Sequence, residues 1–262
     1  MQNFEFVKPG SIADAVKALG HDGAQALSGG QTLIPTMKQR LATPEVLVSL
    51  NSIAEMQGVC VGLGGLHIGG ATAHAMVARE AAKLYPALAE LAGRIGDPAV
   101  RSRGTVGGSL ANNDPSACYP AGALASDAVI VTNKRKIAAD DYFQGMFATA
   151  LDEGEIITEV QFKIPEKAAY VKFDQPASRF ALVGVFVAKH AGGVRVAVTG
   201  ASENGVFRWK EAETALSVNF SSVSIDGLKA SAKGMIGDLH GTPDYRANLI
   251  GVLTKRAVMA AH

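Results

Sequence analysis

"RSRGTVGGSLANNDPSACYP", residues 101–120, is the stretch on which the fold turns. It shows no apolar periodicity of helix or strand type and reads as one long loop. A loop of that length in a compact chain is generally functional or disordered. At its centre, Gly104–Ser109 (GTVGGS) sets paired glycines between hydroxyl residues. Paired glycines let successive amide N–H groups turn to one side, and Ser and Thr add donors, which together can cradle an anion. The same residues also suit an ordinary loop or bulge. Arg101 and Arg103 divide in the same way, between binding phosphate, fastening the loop to nearby carbonyls or carboxylates, and facing a partner.

Working outward, the ingredients recur at Ser28–Thr32 (SGGQT), directly after the short strand AQAL. This segment reads either as a second anion cradle or as a strand-ending turn. Neither segment is a G-x-G-x-x-G opening a helix, so a Rossmann dinucleotide site is not indicated. Two cradles on separate lobes point to a ligand with two adjacent phosphates, held in the crevice between them.

Around these loops the chain reads as three lobes. In the first, residues 11–20 form a short helix capped by Ser11, with Asp14 three residues on, Gly20 at C′, and Ile12, Val16 and Leu19 on one face. AQAL and VLVSL (46–50) complete a strand–helix–strand unit. From Gly58 the pattern alternates, giving two strands joined by glycines, then helical periodicity from His74 to Leu91 broken at Pro86. Beyond the long loop, DAVIVTN, the turn NKRK and EIITEVQFKIP make further strands. The last lobe reads as a strand, an apolar run and a strand turning at His-Ala-Gly-Gly. Helices at 209–218, 223–232 and 244–260 follow, with Leu249, Ile250, Leu253 and Val258 as a buried stripe of the last.

Composition limits the function. The 262 residues are 48% hydrophobic with a net charge of +1, which argues against a nucleic-acid surface. No run approaches the roughly 20 apolar residues of a membrane span. MQNFEFVKPG lacks a basic region followed by an apolar run, so a cytoplasmic protein is expected. Two cysteines, Cys60 and Cys118, cannot hold an iron–sulfur cluster, which needs about four thiolates. The histidines show no metal spacing; His74 reads as a cap or core residue and Trp209 as packing.

Four segments in order carry a resemblance: LSGGQTLIP, GDPAVRSRGTVGGSLANNDPSACYP, LDEGEIITEVQFKIP and YVKFDQPASRFALVGVFVA. Together they resemble the FAD-binding medium subunit of the molybdenum hydroxylases, the xanthine dehydrogenase, carbon monoxide dehydrogenase and aldehyde dehydrogenase family. The resemblance implies an α+β fold: a two-lobed FAD-binding domain of the vanillyl-alcohol-oxidase (PCMH) type, then a C-terminal domain of antiparallel sheet and helices. The lobes would span 1–57 and 58–167, and the C-terminal domain 168–262.

It further implies that Ser28, Gly29, Gly30, Gln31, Thr32 and Leu33 wrap the FAD pyrophosphate. Thr105, Gly107, Gly108 and Ser109 would hold it from the other side, and Asn112, Asn113 and Asp114 would run past the flavin's sugar-like chain. Ile95 would supply an apolar contact, Ile157 a backbone contact to the ring's polar edge, and Lys172 a charge near that edge. Phe180 falls where carbon monoxide dehydrogenases carry a tyrosine over the ring, and Cys118 where an acidic residue bonds a flavin hydroxyl. No residue of this chain is expected to be catalytic or to bind metal. Electrons would come from [2Fe–2S] clusters of a small subunit, fed by a molybdopterin centre in a large one, and pass to NAD+, a quinone or oxygen. A dimer of heterotrimers is the expected assembly. A stand-alone flavin oxidoreductase of the same fold and a non-redox nucleotide-binding scaffold are the competing readings.

Overall fold

The computed structural model describes residues 1–262. A parallel three-stranded sheet opens the chain, with Val46–Ser49 between Glu5–Val7 and Ala24–Leu27. Helices Ile12–Leu19 and Leu33–Lys38 connect its strands. Ser11 caps the first helix by accepting from the Asp14 amide. Gly20 stays right-handed at φ −76°, so the helix ends without the left-handed C′ residue expected there. The first strand was not evident because its residues are mostly exposed and show no alternation.

The second sheet is antiparallel, in the order Val59–Gly62, Gly65–Gly69, Ile157–Phe162, Val129–Thr132 and Lys136–Ala138. Leu66, Ile68, Ile130, Val160 and Phe162 share one core with the helices His74–Glu80, Pro86–Gly93, Val106–Asn112 and Tyr119–Ala125. Pro86 starts a helix at a position where its missing N–H costs nothing.

The long loop expected at 101–120 is largely helical instead: Pro98–Arg103, Val106–Asn112 and Tyr119–Ala125. Its helix ends are well specified. The Asp97 carboxylate accepts from the Val100 amide, and the Thr105 hydroxyl from Gly108. The apolar stripe is missing because Pro98–Arg103 and Val106–Asn112 are less than two turns long, and Tyr119–Ala125 is buried on every side, so no polar face marks a period.

The third sheet, Lys167–Asp174, Ala181–His190, Gly193–Thr199 and Phe207–Arg208, is antiparallel and covered on both faces. Tyr170, Phe186, Ala188 and Ala197 enter the core of the middle lobe. Val183, Val185, Val187, Val196 and Val198 point the other way, against Trp209, Leu216, Leu249, Ile250, Leu253 and Val258. A strand buried on both faces loses its polar alternation, hence the unbroken apolar run in the sequence. Helices Lys210–Val218 and Pro243–Ala260 cover the outer face. The helix expected at 223–232 is only a single 3-10 turn, Ser222–Ile225; Gly227, at φ +83°, turns the chain away.

Ion pairs tie the third sheet to the middle lobe. Arg195 reaches Asp127 and Asp140, and Arg208 bridges Asp140 and the buried Glu213. The Gly200 amide donates to the Pro115 carbonyl at 2.7 Å, which anchors the segment after Asn112–Asp114. No helix is long and apolar enough to cross a membrane.

Candidate functional site

The two glycine-rich segments meet. Ser28 Oγ lies 2.7 Å from Thr105 Oγ1, and a Cβ on Gly29 would stand 2.3 Å from the Arg103 carbonyl oxygen and 2.6 Å from Gly104 Cα. Only a glycine permits that approach. Gly30 adopts φ +69°, the left-handed region, and its carbonyl accepts from Ile34. The amides of Gly29, Gly30, Gln31, Thr32 and Leu33 have no acceptor within the protein. Gln31 folds back to the Gly29 carbonyl at 3.1 Å, and Asn51 holds the Ser28 carbonyl at 2.9 Å.

The second segment is built differently. The Val106 amide donates to the Thr72 carbonyl, Gly107 to Gly70, Gly108 to the Thr105 hydroxyl and Ser109 to the Thr105 carbonyl. Gly107 lacks room for a Cβ because the Gly70 oxygen would lie 2.6 Å away. The Ser109 hydroxyl and the Asn112 side-chain carboxamide make no hydrogen bond to the protein, so both are free to meet a ligand. Ile157 is buried behind this wall, its carbonyl packed against Gly70.

Asn113 is buried at φ +42°, and its side chain donates to the Gly145 and Ala148 carbonyls at 2.8 Å each. It therefore holds the hairpin Phe143–Thr149 in place. Asp114 accepts from the Ser116 amide at 2.8 Å, closing a local turn.

A second group gathers around Ile95, Lys172 and Phe180. Arg101 donates to the Ile95 and Gly96 carbonyls at 3.0 and 2.9 Å, so it fastens backbone, while Arg103 is exposed with no protein partner. The Lys172 ammonium is buried and reaches the carbonyls of Arg94 and Arg179 and the Asp174 carboxylate. Cys118 is buried 3.9 Å from that ammonium; burial pushes its thiol pKa up against the pull of the lysine charge. Phe180 is 53% exposed at the end of the hairpin loop that follows Asp174. The helix Pro98–Arg103 joins this group to Gly104–Ser109.

His74 stands behind both segments. Its amide donates to the Gly104 carbonyl and its ring packs on Tyr119, with centroids 5.3 Å apart. Burial, helped by the Arg101 charge, lowers its pKa to about 4, so the ring is neutral. Its place in the core agrees with the reading from sequence, as does the burial of Trp209. Gly70 is the seat of the wall helix Val106–Asn112, and the glycine pair of IGGAT is the signal that marks it in the sequence. Arg94 and Asp174 carried no sequence signal.

A diphosphate fits this arrangement. Five consecutive free amides beside a left-handed glycine form an anion nest, and Thr32, Ser109 and Asn112 add neutral donors. Negative charge would be met at this loop by backbone N–H groups and neutral side-chain donors.

Residues 2–166 match the family described as the FAD binding domain in molybdopterin dehydrogenase. The carbon monoxide dehydrogenase medium chain of Hydrogenophaga pseudoflava is 32% identical, over 98% of this chain and 96% of that relative. The glyceraldehyde dehydrogenase medium chain of Sulfolobus acidocaldarius is 30% identical, over 97% and 96%. A chain of the reconstituted CO dehydrogenase from Oligotropha carboxidovorans superposes with a TM-score of 0.89 at 31% identity, over 98% of this chain and 97% of that one. The chain belongs to the FAD-binding subunits of the molybdopterin-dependent dehydrogenases, with the α+β fold of that family and FAD as its cofactor.

Proposed function

We propose that this chain is the electron-transfer subunit of a multi-subunit molybdenum hydroxylase. It accepts electrons from the [2Fe–2S] clusters of a small partner subunit and passes them to NAD+, a quinone or oxygen. When bound, FAD supplies the exchange between one-electron and two-electron transfer, while the protein supplies binding and orientation. The run of free amides from Gly29 to Leu33, joined to the Gly104–Ser109 wall by the Ser28–Thr105 hydrogen bond, carries the reading.

In this reading Gly29–Leu33 bind the pyrophosphate, and Thr105, Gly107, Gly108 and Ser109 close the other side. Asn112, Asn113 and Asp114 border the sugar-like chain, and Ile95, Ile157, Lys172 and Phe180 frame the ring. The lobes divide at 57 and 167. The substrate is oxidised on a large molybdopterin subunit, and the complex is a cytoplasmic dimer of heterotrimers. Two cysteines in the whole chain support the need for a partner that carries the clusters. Pairing about a two-fold axis is the commonest closed arrangement.

Acid or heat release followed by chromatography should yield FAD; FMN, or flavin left on the protein, would refute the site. Purification from the native source should bring two further chains along. A monomer that oxidises substrate unaided would overturn the subunit reading.

A further inference from the structure

Lys172 is a buried cation with no donor in reserve. Its Nζ lies 2.8 Å from the Arg94 carbonyl, 2.6 Å from the Arg179 carbonyl and 2.9 Å from Asp174 Oδ1. An ammonium has three N–H groups, and three oxygens take them. Taking such a charge out of water is costly and pairing repays that cost only in part, so stability alone is a weak reason for it.

What it connects is specific. Arg94 belongs to the middle lobe and directly precedes Ile95. Arg179 lies in the hairpin loop of the third sheet and directly precedes Phe180. Arg179 is held at φ +60°, a left-handed conformation unfavourable for a residue with a side chain, and its carbonyl is one that Lys172 takes. The same join is doubled by the Arg94 guanidinium, 2.9 Å from Asp174 Oδ2. On the other side Arg101 fixes the carbonyls of Ile95 and Gly96, and the helix it belongs to runs into Gly104. A hydrogen-bonded frame therefore runs from the anion cradle to an exposed phenylalanine.

We propose that Lys172 is a positioning residue. It sets Phe180 opposite Ile95 as the two walls of a slot for the flavin ring and makes no direct bond to the flavin. This rests on the FAD site proposed above.

Trypsin tests it, because the Arg179–Phe180 bond is itself a cleavage site. In the full wild-type chain, saturating FAD should slow the cut at that bond, mapped by mass spectrometry. Lys172→Met leaves Asp174 paired with Arg94, and should speed the cut and weaken FAD binding on the order of tenfold. Lys172→Arg should restore part of both. FAD affinity and cleavage both unchanged in Lys172→Met would overturn the proposal. If that variant fails to fold, the wild type decides: cleavage at Arg179–Phe180 indifferent to bound FAD removes the slot. A wild-type chain that binds no FAD fails at the earlier step, and refutes the cofactor site itself.

Discussion

Five consecutive amides of the first loop, Gly29 to Leu33, have no acceptor in the protein, whereas in the second segment Val106, Gly107, Gly108 and Ser109 all donate to protein oxygens. Nearly the same residues compose both. Sequence likeness conceals a division of work, in which one loop donates to the ligand and the other is a wall seated on Gly70 and Thr72. The glycines divide likewise. A Cβ on Gly29 or Gly107 would meet a backbone oxygen at 2.3 or 2.6 Å, which cannot give way, while one on Gly108 would meet chiefly the Thr105 hydroxyl at 2.9 Å.

The largest effect expected from breaking this pairing is that of Gly29→Val. The new side chain drives the donor loop off Arg103 and Gly104, so flavin is lost and stability falls on the order of 3 kcal/mol, read from urea unfolding. A variant that keeps its stability would show that the loops do not need that contact.

Gly108→Val sharpens the comparison, because a Cβ there meets only side chains, Thr105 Oγ1 at 2.9 Å and Ser28 Cβ at 3.7 Å. Flavin content should fall to near zero while circular dichroism stays close to wild type and stability drops by about 1 kcal/mol, the worth of the displaced Thr105 cap. A full complement of FAD in this variant would show that the start of the wall helix does not approach the pyrophosphate.

The strands that pair in hairpins were legible because alternation and glycine turns are local signals, as at Val59–Gly69 and Lys167–Thr199. The residues of the two cradles were legible too. Their unlike roles were not, since the partners of Gly107 and Val106 are carbonyls of a strand end some 35 residues earlier. Tyr119–Ala125 shows no amphipathic period because it is buried on all sides, while Pro98–Arg103 and Val106–Asn112 span fewer than two turns each and are too short to set one up. The edge strand Glu5–Val7 and the clamp of Lys172 depend on contacts between distant segments, which leave no pattern in either one.

His74 separates the two regions by pH. The first loop contains no titratable side chain, while the wall rests on a histidine whose pKa burial lowers from 6.5 to about 4. Below pH 6.5 the unfolded chain takes up a proton that the folded chain refuses. Stability therefore falls as pH drops through this window and levels off below about 4. The loss attributable to this ring is about 2 kcal/mol between pH 6.5 and 5. Urea unfolding at the two values measures it, and His74→Leu should remove most of the slope. An unchanged slope in that variant would assign the acid sensitivity to another group.

Thr105 serves both regions through its side chain, and its effect should be the smallest. Its hydroxyl caps the wall helix through the Gly108 amide at 3.1 Å and meets Ser28 of the donor loop at 2.7 Å. Thr105→Ala removes the cap, worth about 1 kcal/mol, and leaves Ser28 without its partner. Because the wall keeps its seat through Val106 and Gly107, the helix should survive, and FAD binding should weaken by roughly fivefold, the factor that about 1 kcal/mol carries. Thr105→Ser retains the hydroxyl and should bind FAD as the wild type does. If the two variants bind alike, the Ser28–Thr105 bond is not what couples the donor loop to its wall, and the backbone contact of Gly29 with Arg103 alone must do so.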